Sequence, residues 1–166
     1  MVDAMKKMRL LIGTLLLITC VPVLAEDDTP NPWGIESWTL QTSLYTWHTD
    51  PEDYHNNDQN LIGAEAYFNN GWLAGIAVFE NSFFQDCQYI FVGKSWPILS
   101  SDLWYFKLTG GLLNGYDEPY EDKIPLNGLG VAPAIIPALG FRYKMFFTEA
   151  NLGGLSAVTI TAGVRF

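Results

Sequence analysis

The sequence predicts an all-β fold, an eight-stranded antiparallel transmembrane β-barrel of the bacterial outer-membrane type. Three observations lead there. The chain opens with an export signal. It then combines 14% aromatic residues and 15 glycines with only 16% charged residues, yet after that opening no apolar run is long enough for a membrane helix. Apolar and polar residues instead alternate with the period of two that a strand requires, so hydropathy never accumulates in one stretch.

The export signal comes first. Lys6, Lys7 and Arg9 precede an apolar run from Leu10 to Leu24, and Val23-Leu24-Ala25 offers small residues for cleavage after Ala25. The run is too short to span a bilayer, and Pro22 interrupts it. Thr19 stands where a lipoprotein signal ahead of Cys20 would carry Gly or Ala. Residues 1–25 therefore read as a signal peptide, 26–37 as a short N-terminal segment and 38–166 as the barrel. Cleavage leaves 141 residues, enough for one domain. Cys87 is then the only thiol, so no intramolecular disulfide is expected. Six basic residues face seventeen acidic ones in the mature chain, which argues against a nucleic-acid partner.

Strands are expected at about 38–48, 60–68, 72–81, 87–96, 103–114, 130–142, 145–151 and 156–166. Asn69-Asn70-Gly71 is a tight hairpin signal, Pro97–Asp102 a short turn, and the link near Tyr143 shorter still; these belong at the periplasmic end. The long polar stretches Thr49–Gln59 and Gly115–Leu129 belong at the outer end, with shorter links near Gln85 and Gly153. Val158, Ile160, Ala162, Val164 and Phe166 alternate with Ala157, Thr159, Thr161, Gly163 and Arg165, giving one face for lipid and one for the lumen. The terminal Phe is analogous to the signal read by barrel-assembly machinery. Trp104, Phe106, Leu108 and Leu112 share a face opposite Tyr105, Lys107, Thr109 and Gly111. A soluble barrel would carry polar residues on that outer face.

Strand parity also outlines the interior. Ala77, Phe79, Cys87, Tyr89, Phe91, Leu113, Ala132, Ala134, Ile136 and Ala157 collect toward the outer end, and Glu65, Tyr67, Lys107, Arg142 and Arg165 toward the periplasm. Eight strands enclose a space that side chains fill or that holds one small ligand. An apolar upper half above a polar plug suits one hydrocarbon chain, unless the alanines simply pack against Phe79 and Phe91. Pro133 and Pro137 remove backbone donors from the sixth strand, which either bends the strand locally or weakens a seam through which a lipid tail would enter.

The candidate chemistry is a histidine near a hydroxyl, the minimum for general-base acyl transfer. His48 ends the first strand and Ser82 follows the third, both at the outer end. His55 lies in the first outer loop. Strict alternation places His48 and Ser82 on the lipid side unless the strand ends bend.

The chain resembles the PagP family of lipid A palmitoyltransferases. Its Thr46-Trp47-His48 and Asn81-Ser82-Phe83 segments are similar to family motifs, with Asn81 where the family carries aspartate. Pro133 and Pro137 match the family's Pro-x-x-x-Pro seam. Gly93 falls at the position of the barrel-floor glycine that sets acyl length. The resemblance implies an outer-membrane acyltransferase, acting as a monomer without cofactor or metal, that moves an acyl chain from a phospholipid donor to lipid A. It implies His48, Asn81 and Ser82 as catalytic residues, and Gly93, Phe91, Tyr89, Pro133 and Pro137 as acyl-chain contacts and entry. A non-enzymatic barrel whose Asp50, Glu52, Asp53 and Asp58 bind a hard cation and a lipid A deacylase stand as alternatives.

Overall fold

Alternation with no helical period leaves the backbone one way to satisfy its hydrogen bonds in an apolar chain, which is strand to strand. The computed structural model describes residues 31–154 and 156–166, so the expected signal peptide over 1–25 and the first residues of the expected N-terminal segment lie outside the described residues. The strands are β1 (Ile35–His48), β2 (Ile62–Phe68), β3 (Trp72–Glu80), β4 (Asp86–Ile98), β5 (Ser101–Asn114), β6 (Val131–Tyr143), β7 (Phe146–Gly153) and β8 (Ala157–Arg165). Each pairs antiparallel with the next, and β8 pairs with β1, so the barrel is closed. Closure removes the free strand edges that an open sheet would present. The sole helical element among the described residues is a 3-10 turn at Glu121–Lys123.

Turns at one end are minimal. Gly71 carries φ +79°, and its amide closes the β2–β3 turn onto the Phe68 carbonyl at 2.9 Å. The β4–β5 connection is tighter than the sequence suggests: strand pairing continues through Pro97, and only Leu99 and Ser100 turn, both with positive φ. The other end carries the long connections 49–61 and 115–130.

The interior follows the alternation. At the turn end, Lys107 Nζ lies 2.7 Å from both Glu65 Oε1 and Glu149 Oε2. Tyr105 donates to Glu149, and Thr39 and Gln41 donate to Glu65. Tyr67, Leu73, Ala77, Cys87, Tyr89, Phe91 and Leu113 form an apolar core that runs from beside this cluster toward the loop end. Aromatic rings lie on glycines of neighbouring strands: a Cβ at Gly75 would fall 2.5 Å from Phe91 Cζ. Outside, Ile62, Ile90, Val92, Leu112 and Ile135 are each more than half exposed.

Two irregularities shape the loop end. In β1 the partner of Ser43 is Thr161 and that of Tyr45 is Ile160, so Leu44 is an extra residue, a β-bulge. Leu44 and Tyr45 both face outward, and the parity of all that follows is reversed. The second irregularity is in β6, which pairs with β5 from Val131 but with β7 only from Ala138. Residues 131–137 have no ladder partner on the β7 side among the described residues.

Candidate active site at the loop end of the barrel

The bulge decides the position of His48. Strict alternation would turn it outward; the extra residue at Leu44 brings Thr46 and His48 inside instead, with Trp47 out. His48 is 4% exposed, and it pairs across the ladder with Ala157.

Ser82 arrives from the β3–β4 turn. Asn81 shapes that turn: its Oδ1 accepts the Phe83 and Gln85 amides at 2.8 and 3.1 Å, and its Nδ2 donates to Gln85 Oε1 and the Gly115 carbonyl. The resemblance implies Asn81 as a catalytic residue beside His48 and Ser82. Its amide is committed to the turn instead, so it supports Ser82 from beneath. The reason is local: an Asn at a strand end caps the following turn with its own side chain.

His48 is held from both sides. Its Nε2 lies 2.8 Å from Ser82 Oγ, and its Nδ1 lies 2.9 Å from Asn57 Oδ1. Because Asn57 presents an acceptor, Nδ1 must carry the ring proton and donate it. Nε2 then holds the lone pair and accepts the Ser82 hydroxyl. The loop supplying Asn57 is stitched between β1 and β3: Thr46 donates to the Asn57 carbonyl, Asn56 to the Ser82 carbonyl, and Glu80 to the Gln59 carbonyl, at 2.8–2.9 Å. The Asn56 side chain donates to Glu80 Oε2 and the Asn81 carbonyl.

Aromatic rings roof the site. His55 stacks on His48 with centroids 4.5 Å apart, and it contacts Tyr54 and Phe83 edge-on. Phe83 in turn lies flat on Tyr120 at 3.9 Å. Tyr116, packed against the core from the same side, has its phenol pushed up to about 12 by burial.

The remaining expected residues lie below. Tyr89 and Phe91 stack at 4.7 Å, and the Tyr89 hydroxyl donates to Thr109 and to the Ala134 carbonyl. They form a plate across the middle of the lumen. Gly93 lies one step deeper and serves close strand packing: a Cβ there would meet the Leu108 carbonyl at 2.5 Å and Thr109 Cγ2 at 2.8 Å. Inward residues on the β6–β8 side, Ala134, Ile136, Asn151, Ala157 and Thr159, are only half-buried. Ala134 and Ile136 pack against the apolar core, on the stretch of β6 that carries Pro133 and Pro137. Comparison with known proteins finds no family model and no curated protein that matches the chain.

Proposed function

We propose that this chain is an outer-membrane enzyme that moves one acyl chain from a phospholipid to lipid A. The observation that carries the reading is the 2.8 Å contact between His48 Nε2 and Ser82 Oγ at the loop end of the barrel. A basic ring nitrogen on a hydroxyl is what ester chemistry needs, and a barrel that only binds or supports has no use for it. The outward apolar side chains suit a bilayer. The incomplete β6–β7 seam beside Pro133 and Pro137 suits a lipid tail arriving sideways. The resemblance to the palmitoyltransferases, carried by Thr46-Trp47-His48, Ser82 and the two prolines, favours lipid A as acceptor.

The cation-binding alternative draws less support. Asp50, Glu52, Asp53 and Asp58 do not converge, and no three metal-capable side chains gather among the described residues. The deacylase shares the serine–histidine pair and differs in the acceptor, water in place of a sugar hydroxyl. Mass spectrometry of lipid A from cells with and without the gene separates the three. A gain of one acyl chain is the expected result. A loss of one chain identifies a deacylase, and unchanged lipid A sinks both enzymatic readings.

A further inference from the structure

Resting on that reading, we propose that Ser82 is the nucleophile that carries the acyl group covalently, with Asn57 as the residue that positions His48. Two roles are open to Ser82, orienting the histidine or attacking the ester. The hydrogen-bond arrangement distinguishes them. The His48 ring is already held without Ser82, by Asn57 on Nδ1 and by His55 stacked on its face. Its one basic nitrogen, Nε2, is engaged by the Ser82 hydroxyl. An acceptor hydroxyl has no free basic nitrogen to meet while Ser82 stays in place. The proton His48 is set to take is the serine's.

The three side chains thus stand in the order hydroxyl, imidazole, carbonyl, the arrangement that activates a serine when a third group fixes the ring's tautomer. Here the third group is neutral. Asn57 Oδ1 holds the proton on Nδ1, and its backbone carbonyl is pinned by the Thr46 amide at 2.8 Å. That pin ties the positioning group to the same strand end that bears His48.

The chemistry balances in two steps. Ser82 Oγ attacks the carbonyl carbon of the phospholipid ester while Nε2 takes the hydroxyl proton. The carbonyl carbon's bond to the glycerol oxygen breaks, and Nε2 returns the proton to that oxygen. The products are a lysophospholipid and an ester on Ser82. The acceptor hydroxyl then gives its proton to Nε2 as its oxygen attacks the acyl carbon. The bond from that carbon to Ser82 Oγ breaks, and Oγ recovers the proton. Water in the second step would release the fatty acid.

The test uses the full chain folded in outer-membrane vesicles and a long-chain alkyl fluorophosphonate, which phosphonylates activated serines. A stable adduct should map to the peptide bearing Ser82, and Ser82→Ala should lose it. His48→Ala should slow labelling by about 10²–10⁴-fold, the span of a general base. Asn57→Ala should slow it by roughly tenfold, the rate equivalent of one hydrogen bond. Asn57→Asp should restore labelling and move the acid limb of its pH profile upward by about one unit, because a carboxylate on Nδ1 favours the imidazolium. A role confined to holding the loop would leave neither variant rescued, so labelling restored by Asp and not by Ala is the readout of a group acting on Nδ1. Separately, wild-type protein given phospholipid without acceptor and quenched in acid should show one acyl group on the Ser82 peptide, a measurement independent of how the variants fold. Acyl transfer that proceeds with neither adduct overturns the nucleophile and leaves the transferase. Ser82 adducts without transfer to lipid A keep the nucleophile and overturn the transferase. Labelling of both Asn57 variants at the wild-type rate and pH profile overturns the positioning role.

Discussion

A side chain added at Gly93 meets the neighbouring strand before it meets the lumen, because its Cβ would lie 2.5 Å from the Leu108 carbonyl. The stacked rings of Tyr89 and Phe91 lie between that position and the loop end, so on the proposed function they set the depth open to an acyl tail. Gly93→Met should therefore lower the yield of folded barrel instead of simply shortening the preferred chain. Tyr89→Ala should open space over the Phe91 ring and shift selectivity toward longer donors. A series of defined phospholipids measures the shift, and an unchanged preference in Tyr89→Ala would place the tail elsewhere. His48 and Ser82 are legible in the sequence because the chain has two histidines and the topology brings both strand ends to one rim. Asn57 is not. It sits in a loop of polar residues where no periodicity assigns a direction, and hydrogen bonds to Thr46 and His48 at the end of β1 select it. Asn81 misleads for the opposite reason: adjacency to Ser82 suggests chemistry, while its own turn claims the amide.

At the scale of the element, the bulge at Leu44 is the device that turns a strand end into half of a site. Counting inward positions upward from Thr39 and Gln41 reaches Ser43 and then, without the bulge, Tyr45 and Trp47. With it, the count continues at Thr46 and His48. All eight strands are legible from their alternation, and their ends agree with the structure within a few residues. The bulge is invisible to that pattern, since Leu44 and Tyr45 are both plausible lipid-facing residues. Only the pairing with β8, which skips from Thr161 to Ile160 as β1 passes Leu44, reveals it. Deleting Leu44 should remove the bulge and leave a regular strand in which Tyr45 and Trp47 still face out and Thr46 and His48 still face in, so fluorophosphonate labelling and acyl transfer should survive. Inserting one alanine between Tyr45 and Thr46 should instead turn His48 outward, and both activities should be lost while the β-sheet content measured by circular dichroism is retained. An insertion variant that keeps full activity would mean that the loop, and not strand parity, places the histidine.

The molecule as a whole is divided into a loop end that carries the His48–Ser82 pair and a charged turn end that closes the barrel beneath it. Glu65 and Lys107 are legible as an inward pair from the parity of β2 and β5. Glu149 is harder to read because Phe146 and Phe147 precede it, and two adjacent phenylalanines hide which face is inside. In the structure Phe146 is 61% exposed and Phe147 6%, which sets Glu149 inward as the second carboxylate on Lys107. One lysine then balances two buried carboxylates, each 2.7 Å from its Nζ, with Tyr105, Thr39 and Gln41 supplying further donors. Removing the cation strands both anions, and breaking a buried pair from one side costs about 3–5 kcal/mol. Lys107→Met should accordingly lower the temperature at which the folded barrel converts to its slower or faster migrating denatured form on a gel. Glu65→Gln should cost less, because it leaves a balanced Lys107–Glu149 pair and an amide that still accepts from the lysine. The order of the two variants is the test. If Lys107→Met is as stable as wild type while Glu65→Gln is not, the carboxylates are neutral in the folded barrel and the lysine is not their counterion.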